Sequence, residues 1–315
     1  MPAPISDSFA SVTMSVSVII PTYRREQVLV ESIRYLHALH PPADEIVIVD
    51  QSERHDPETT AALQAWHDAG RICWLRLTRP SITHAMNTGL MRARGDIIIF
   101  LDDDIIPDSS LLSAHAEAHT EARCNIVAGQ VLQPGENVLQ ESLEKGEFRF
   151  CFDKRRWIRE FIGCNFSVKR QLAIELGGFD ENFVRVAYRY EAEFCDRAIS
   201  AGEQILFEPA ASIRHLKAGA GGTRSFGEHL TTIKPHHAVG AYYYLLRARH
   251  VRRRWWQMVL RPLRAVRTRH HARRPWWIPF TLASEFGGFV WALVLRLRGP
   301  KLVSAQYHDQ ASESS

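Results

Sequence analysis

The sequence predicts an α/β protein built on a doubly wound, mostly parallel sheet, and three observations carry that expectation. Short apolar runs alternate with stretches of helical spacing between residues 16 and 101. One of these runs, Ile97–Leu101, holds five apolar residues without a break, as a strand buried on both faces requires. Charge then divides the chain: residues 1–228 hold 24 Lys+Arg and 32 Asp+Glu (net −8), whereas residues 229–315 hold 15 and 3 (net +12). The expected organisation is therefore a tail over 1–14, one α/β domain over 15–228 and a basic, aromatic-rich helical extension over 229–315.

Val16–Ile20, ending at Pro21-Thr22-Tyr23, reads as the first strand. Val28, Leu29, Ile33, Leu36 and Leu39 follow at helical spacing, and Pro41-Pro42 stops that helix. Glu45–Val49 is a second buried strand that ends on Asp50. Asp56-Pro57 starts the next helix, with Pro at its first position. Ile72–Leu77 is a third strand, Ser81 to Ala93 a third helix, and Ile97–Leu101 the fourth strand. Parallel strands joined by helices require right-handed crossovers.

Asp102, Asp103 and Asp104 follow the fourth strand directly. That is the carboxyl end of the sheet, where open α/β folds bind their ligands. Three adjacent carboxylates repel one another, and oxygen donors at this density suit Mg²⁺ or Mn²⁺. A solvated acidic turn ahead of a helix is the competing explanation for such a triplet. The five cysteines form no C-x-x-C pair, which disfavours a disulfide framework or a structural zinc site. Residues 1–15 lack the basic start and long apolar stretch of a signal peptide, so cytoplasmic residence is expected.

Four ordered segments, V-S-V-I-I-P-T-Y-R-R (16–25), E-I-V-I-V-D-Q-S (45–52), N-T-G-L-M-R-A-R-G-D-I-I-I-F-L-D-D-D (87–104) and G-G-F-D-E-N-F (177–183), resemble family 2 glycosyltransferases. The resemblance covers residues 15–218 and implies a GT-A fold, in which a nucleotide-binding half joins an acceptor-binding half. It implies a nucleotide-sugar site at Pro21, Thr22, Tyr23, Asp50, Asn87, Asp102 and Asp103, with Arg224 reaching the diphosphate from a glycine-rich lid or linker. Asp102 and Asp104 match the D-x-D motif, and Asp104 and His215 are the implied ligands of a divalent metal. Gly163, Asn165, Gly178, Phe179 and Asp180 match the wall of the acceptor pocket. Met86 stands where many relatives carry a cation, leaving Arg79 or Arg224 to contact the diphosphate.

R-Y-E-A-E-F-C-D-R-A (189–198) departs from the family's Glu-Asp pattern. Register on Arg197-Ala198 puts Tyr190 at the acidic position and Glu191 at that of the general base. Read without the family, the same acids suit a solvated helix face paired with Arg189 and Arg197. The reaction implied is inverting transfer from a nucleotide sugar, UDP-linked, to a glycan or lipid-linked acceptor in cell-surface glycan or glycolipid synthesis.

The extension holds twelve Lys+Arg between 229 and 274, with Trp255-Trp256 and Trp276-Trp277 interleaved. That makeup suits an anionic membrane surface contacted through 229–300, at the inner face of the plasma membrane. Trp276–Leu295 is long enough to span, yet arginines flank both ends, and Thr281, Glu285, Gly288 and Ala292 form a small, polar stripe. A helix lying in the membrane plane or docked on the domain fits better. Two competing classes are a nucleotidyltransferase, which leaves Glu191 without a task, and a basic nucleic-acid module, which leaves Asp102–Asp104 without one. No nucleic-acid partner is expected.

Overall fold

A computed structural model describes residues 14–122, 124–140, 148–226 and 232–303. The nucleotide half runs β1 (Val16–Thr22), α1 (Gln27–His37), β2 (Glu45–Asp50), α2 (Pro57–Asp68), β3 (Cys73–Arg76), α3 (Ile82–Arg92), β4 (Ile97–Leu101) and β5 (Ile105–Pro107). Capping follows the sequence signals: Asp56 and Ser81 accept from the backbone N–H groups of Thr59 and His84. There follow α4 (Leu111–Glu121), β6 (Ile126–Leu132), β7 (Arg156–Ile158), β8 (Asn165–Lys169), α5 (Arg170–Glu175), α6 (Tyr190–Ser200) and β9 (Ile205–His215).

One nine-stranded sheet in the order β3-β2-β1-β4-β8-β6-β9-β5, with β7 on β9, carries the molecule. The parallel expectation holds from β3 to β4, and beyond β4 the sheet is mixed. There β8 runs antiparallel to both β4 and β6, and β9 is parallel only to β6. The five residues of β4 are buried and divide between two cores, Ile98 and Phe100 on one face, Ile97, Ile99 and Leu101 on the other. Each such side chain stabilises the fold by about 1.5–3 kcal/mol. Asp102–Asp104 therefore emerge from the end of a strand buried on both faces. The β5–β9 pairing sets Ile105 opposite His215, so the last residue of β9 arrives beside Asp104.

The extension folds as α7 (Ala238–Arg247), α8 (Arg254–Val266), α9 (Arg269–Arg273) and α10 (Ile278–Arg298). The charge boundary at 228 is not a packing boundary. Tyr242, Tyr243, Tyr244, Met258, Ala292 and Leu295 belong to the same core as Phe100 and Phe166. Three of the four residues in the small stripe of α10, Glu285, Gly288 and Ala292, are buried. A Cβ on Gly288 would stand 2.5 Å from Ala238 Cβ, so close packing on α7 needs glycine there. Glu285 enters this interface paired with Arg261 at 3.0 Å. After α10 the chain returns to the domain: Lys301 N–H donates to Asp180 and Val303 N–H to the Gly177 carbonyl.

Candidate active site

The geometry at the end of β4 sorts the three aspartates into different tasks. Asp103 turns inward, where Thr22 Oγ1 donates to one oxygen at 2.7 Å and Arg25 Nε approaches the other at 3.1 Å. Asp102 and Asp104 are left facing His215, whose Nε2 lies 3.5 Å from Asp102 Oδ2 and 3.1 Å from Asp104 Oδ1. Gln133, 3.2 Å from His215 Nδ1, orients the ring. Arg25 continues to Asp104 Oδ2 at 3.3 Å and donates to the carbonyls of Ala218 and Ala220, tying the 216–222 loop to the acids. Sequence reasoning passed over Arg25, although its place in P-T-Y-R-R next to three acids was the available signal.

A divalent cation fits this set. One donor atom from each of Asp102, Asp104 and His215 lies within 4.8 Å of the others. Asp104 Oδ1 is buried without a well-directed hydrogen bond, the state expected of an oxygen shaped for an ion. Burial opposes ionisation of Asp104, but His215, the Ala218 N–H and Arg25 hold its carboxyl below the usual range. Burial lowers the His215 imidazole, and the two carboxylates outweigh it and hold it above its ordinary value. Asp102 lines the pocket with 35% of its side chain exposed, and partial desolvation pushes it up to about 6.

The two glutamates of α6 differ completely. Glu193 is 3% exposed and fully engaged, with Arg197 at 3.0 Å and Arg247 of α7 at 3.1 Å. Glu191 has no side-chain hydrogen-bond donor among the described residues. Its carboxylate lies against Gly163, where an added Cβ would collide with Tyr190 Oη and crowd Glu191 Oε1 at 2.9 Å. Burial raises Glu191 to about 7, and the charge of Asp102 pushes the same way. A carboxyl poised near neutrality, with no side-chain donor on it, can accept a proton.

A pocket of about 850 Å³, counting its open mouth, is lined by Pro21, Thr22, Tyr23, Asp102, Asp103, Asp104 and His215. Gln51, Ser81, Arg185, Lys217 and Phe226 also line it, and the sequence reading named none of them. Phe226 stacks on Tyr23 with ring centroids 6.2 Å apart, and Gly222 N–H donates to the Tyr23 carbonyl. Arg185 and Lys217 are cations of the pocket lining, whereas Arg79 is exposed and not among the lining residues. Arg224 lies in a short 3₁₀ turn, and its side chain falls outside the described residues.

Eight expected site residues, Asp50, Asn87, Gly163, Asn165, Gly178, Phe179, Asp180 and Glu191, are not among the residues lining this pocket, and several of them are bonded inside the fold. Asp50 accepts from Ser52 N–H and Trp74 Nε1 and contacts His55. Asn87 clasps Phe179, donating to its carbonyl and accepting from its N–H, while Gly178 makes room for the Asn87 amide. Phe179 is wedged between Phe100 and Phe194. Asn165 bonds His115 and the carbonyls of Gln130 and Ala211. Asp180 binds Tyr243 Oη at 2.7 Å and Lys301 N–H, stapling the extension to the domain. Asn87, Gly178, Phe179 and Asp180 form the joint between α3, the 177–183 turn and α7.

This arrangement defines a GT-A glycosyltransferase, and the chain belongs to glycosyl transferase family 2, whose model matches residues 17–179. The protein named "Probable glycosyltransferase YdaM" of Bacillus subtilis is 23% identical over 210 residues, 62% of this chain and 49% of its own length. The GalNAc(5)-diNAcBac-PP-undecaprenol beta-1,3-glucosyltransferase of Campylobacter jejuni is 26% identical over 170 residues, 53% of this chain and 55% of its own. The chain thus spans about half the length of these curated relatives. A mannosyltransferase from Pyrobaculum calidifontis, solved with GDP-Man and Mn²⁺, shares the fold with a TM-score of 0.56. It is 20% identical, and the match covers 92% of this chain and 80% of that one.

Proposed function

We propose that this glycosyltransferase moves a sugar from a UDP-linked donor to a hydroxyl of a glycan or lipid-linked acceptor, with inversion, as a peripheral protein on the cytoplasmic face of the plasma membrane. One observation carries the reading: the donor set Asp102, Asp104 and His215 lines the same pocket as Pro21, Thr22 and Tyr23, and the Glu191 carboxylate lies against Gly163, whose neighbour Cys164 accepts from the Asp102 N–H. Pro21 to Tyr23 and Gln51 line the side for the nucleoside, and Arg185 and Lys217 the side for the diphosphate. Mg²⁺ or Mn²⁺ held by Asp102, Asp104 and His215 would neutralise charge on the departing nucleoside diphosphate. Glu191 takes the acceptor hydroxyl proton as that oxygen bonds to the anomeric carbon. The carbon–oxygen bond to the diphosphate breaks, and its electron pair leaves with the nucleotide. A single in-line displacement inverts the centre. Asp103 and Arg25 hold the cluster without meeting the reacting atoms.

The membrane assignment draws support from the exposed Trp255, Trp256, Trp276 and Phe286 amid arginines, and from the lipid-linked acceptor in the Campylobacter relative's name. The deciding experiment is a thermal-shift screen of UDP- and GDP-sugars with and without Mn²⁺. A Mn²⁺-dependent shift with a UDP-sugar, lost in Asp104→Asn, is the expected result. Equal shifts without metal would overturn the metal site, and a response to GDP-sugars alone would overturn the donor assignment.

A further inference from the structure

A second cavity, about 760 Å³ counting its mouth, lies between the start of α6 and the basic helix α8. Its wall includes Tyr188, Arg189, Tyr244, Gln257, Arg261 and Arg264. Arg189 is the residue before Tyr190-Glu191 and holds left-handed backbone at φ 76°, a strained conformation for a non-glycine residue. It lies over the Tyr244 ring at 5.2 Å and pairs with Glu160 at 3.1 Å. Glu285 engages Nε and Nη2 of Arg261. Arg264 has no acidic partner among the described residues. Three guanidiniums thus meet two carboxylates, leaving net positive charge around a cavity walled by aromatic rings.

The orientation of α8 supplies the second observation. Gln257, Arg261 and Arg264 lie on the side of α8 that lines this cavity. Trp255, Val259 and Leu263, four apart along another side, are 59–66% exposed. One helix therefore offers an apolar stripe to solvent and a cationic one to a cavity whose wall includes Arg189, two residues before the candidate base in the chain. On the membrane-bound reading above, the apolar stripe enters the bilayer, and the cavity opens at head-group depth.

We propose that this cavity binds the phosphate or diphosphate of a membrane-anchored acceptor lipid, fixing the acceptor sugar beside Glu191. The chemistry selects a phosphoryl group: guanidiniums bind its oxygens by charge-assisted hydrogen bonds, and Tyr and Gln complete the cradle. The proposal rests on the glycosyltransferase and membrane readings, and the test separates it from both.

The test uses the full chain and three vesicle types: phosphatidylcholine doped with a short polyprenyl phosphate, with the matching polyprenol, or with phosphatidylglycerol. Arg264→Glu changes an exposed residue, so the fold should survive, and Mn²⁺-dependent nucleotide binding checks it in the same sample. Wild type should bind polyprenyl phosphate vesicles roughly tenfold more tightly than polyprenol vesicles, the scale of one lost charge-assisted contact. Arg264→Glu should lose that preference and keep most phosphatidylglycerol binding, which the outer arginines supply. Retained preference in the variant overturns the proposal, as does equal loss on both anionic lipids, the mark of bulk electrostatics. Displacement of wild type by soluble inorganic phosphate at millimolar concentration would also overturn it, by removing the need for a lipid. No nucleotide binding by wild type would instead strike the donor reading and leave the vesicle result to stand by itself.

Discussion

The β1–β4 half of the sheet and the α8–α10 layer both contain long apolar runs, and they treat them in opposite ways. Ile97–Leu101 is buried on both faces, whereas α10, four times longer, keeps Leu282, Phe286, Val290 and Leu297 outside while Gly288 and Ala292 face the protein. In the sheet, large residues make the core and the charged ones gather at its end. In the extension, small residues make the contact and the large ones remain for another surface. Apolar content thus says how much surface seeks cover; the size of the residue at each position says which side is covered by protein. The comparison assigns chemistry to the first region and location to the second, and it can be broken at either.

The largest effect should come from the sheet end. Asp104→Asn keeps shape while removing the charge opposite His215, and transfer should fall by roughly a thousandfold or more, with Mn²⁺-dependent nucleotide affinity lost. Unchanged nucleotide affinity would sink the metal-site reading. Next come the two glutamates of α6. Glu191→Gln should cut kcat by about a hundredfold to ten-thousandfold while donor binding persists. Glu193→Gln should instead destabilise the fold by roughly 1–3 kcal/mol, because Arg197 and Arg247 lose a charged partner, with a smaller loss in kcat. An active Glu191→Gln beside a dead Glu193→Gln would exchange their roles.

The acidity of Glu191 gives that pair a signature in pH. Burial raises it to about 7, so the carboxyl is protonated below that pH and cannot act as a base. Wild-type kcat/KM should fall about tenfold per unit below pH 7 and level off above it, and Glu191→Gln should lack this limb. Stability runs the other way. Because the folded pKa lies above the unfolded one, this residue's stability contribution is lost as pH rises through 7. Glu191→Gln should therefore melt no lower than wild type at pH 8. A lower melting temperature there would indicate a structural role for the carboxylate.

Much of this was legible in the chain because local rules and tertiary demands agree in the nucleotide half. Five-residue apolar runs, Asp56 and Ser81 caps and a proline start fix each element, and a strand buried on both faces can only be interior. Ordered motifs singled out Asp102, Asp104 and His215, which the fold brings together, and supplied the register on which Glu191 is proposed as the base. The internal bonds of other motif residues were not legible, because a motif marks a residue type without saying which way its side chain turns. Asn87, Asn165 and Asp180 carry the polar groups a sugar would need, and the fold uses all three as internal ties. Arg185 and Lys217 come from turns far apart in sequence, both at positive φ, with no periodicity to announce them.

The finest test sets two neighbours on α10 against each other. Gly288 faces α7, and its missing side chain is what lets the helices meet. Gly288→Val should cost about 1–3 kcal/mol through overpacking and loosen the extension from the domain. Phe286, two residues earlier, is 69% exposed, so Phe286→Ser should change stability by no more than about 0.5 kcal/mol. If the outer face enters a bilayer, however, the same change removes a phenyl ring from the interface, and binding to phosphatidylglycerol vesicles should weaken roughly tenfold. Raising salt should weaken both proteins further, since the arginine component is screened while the aromatic one is not. The contrast requires opposite readouts: a melting shift without a specific vesicle defect at Gly288, and a vesicle defect without a melting shift at Phe286. A large melting loss in Phe286→Ser would mean that this face is covered by protein, and the division between a buried chemical region and an outward-facing one would fail at its outer edge.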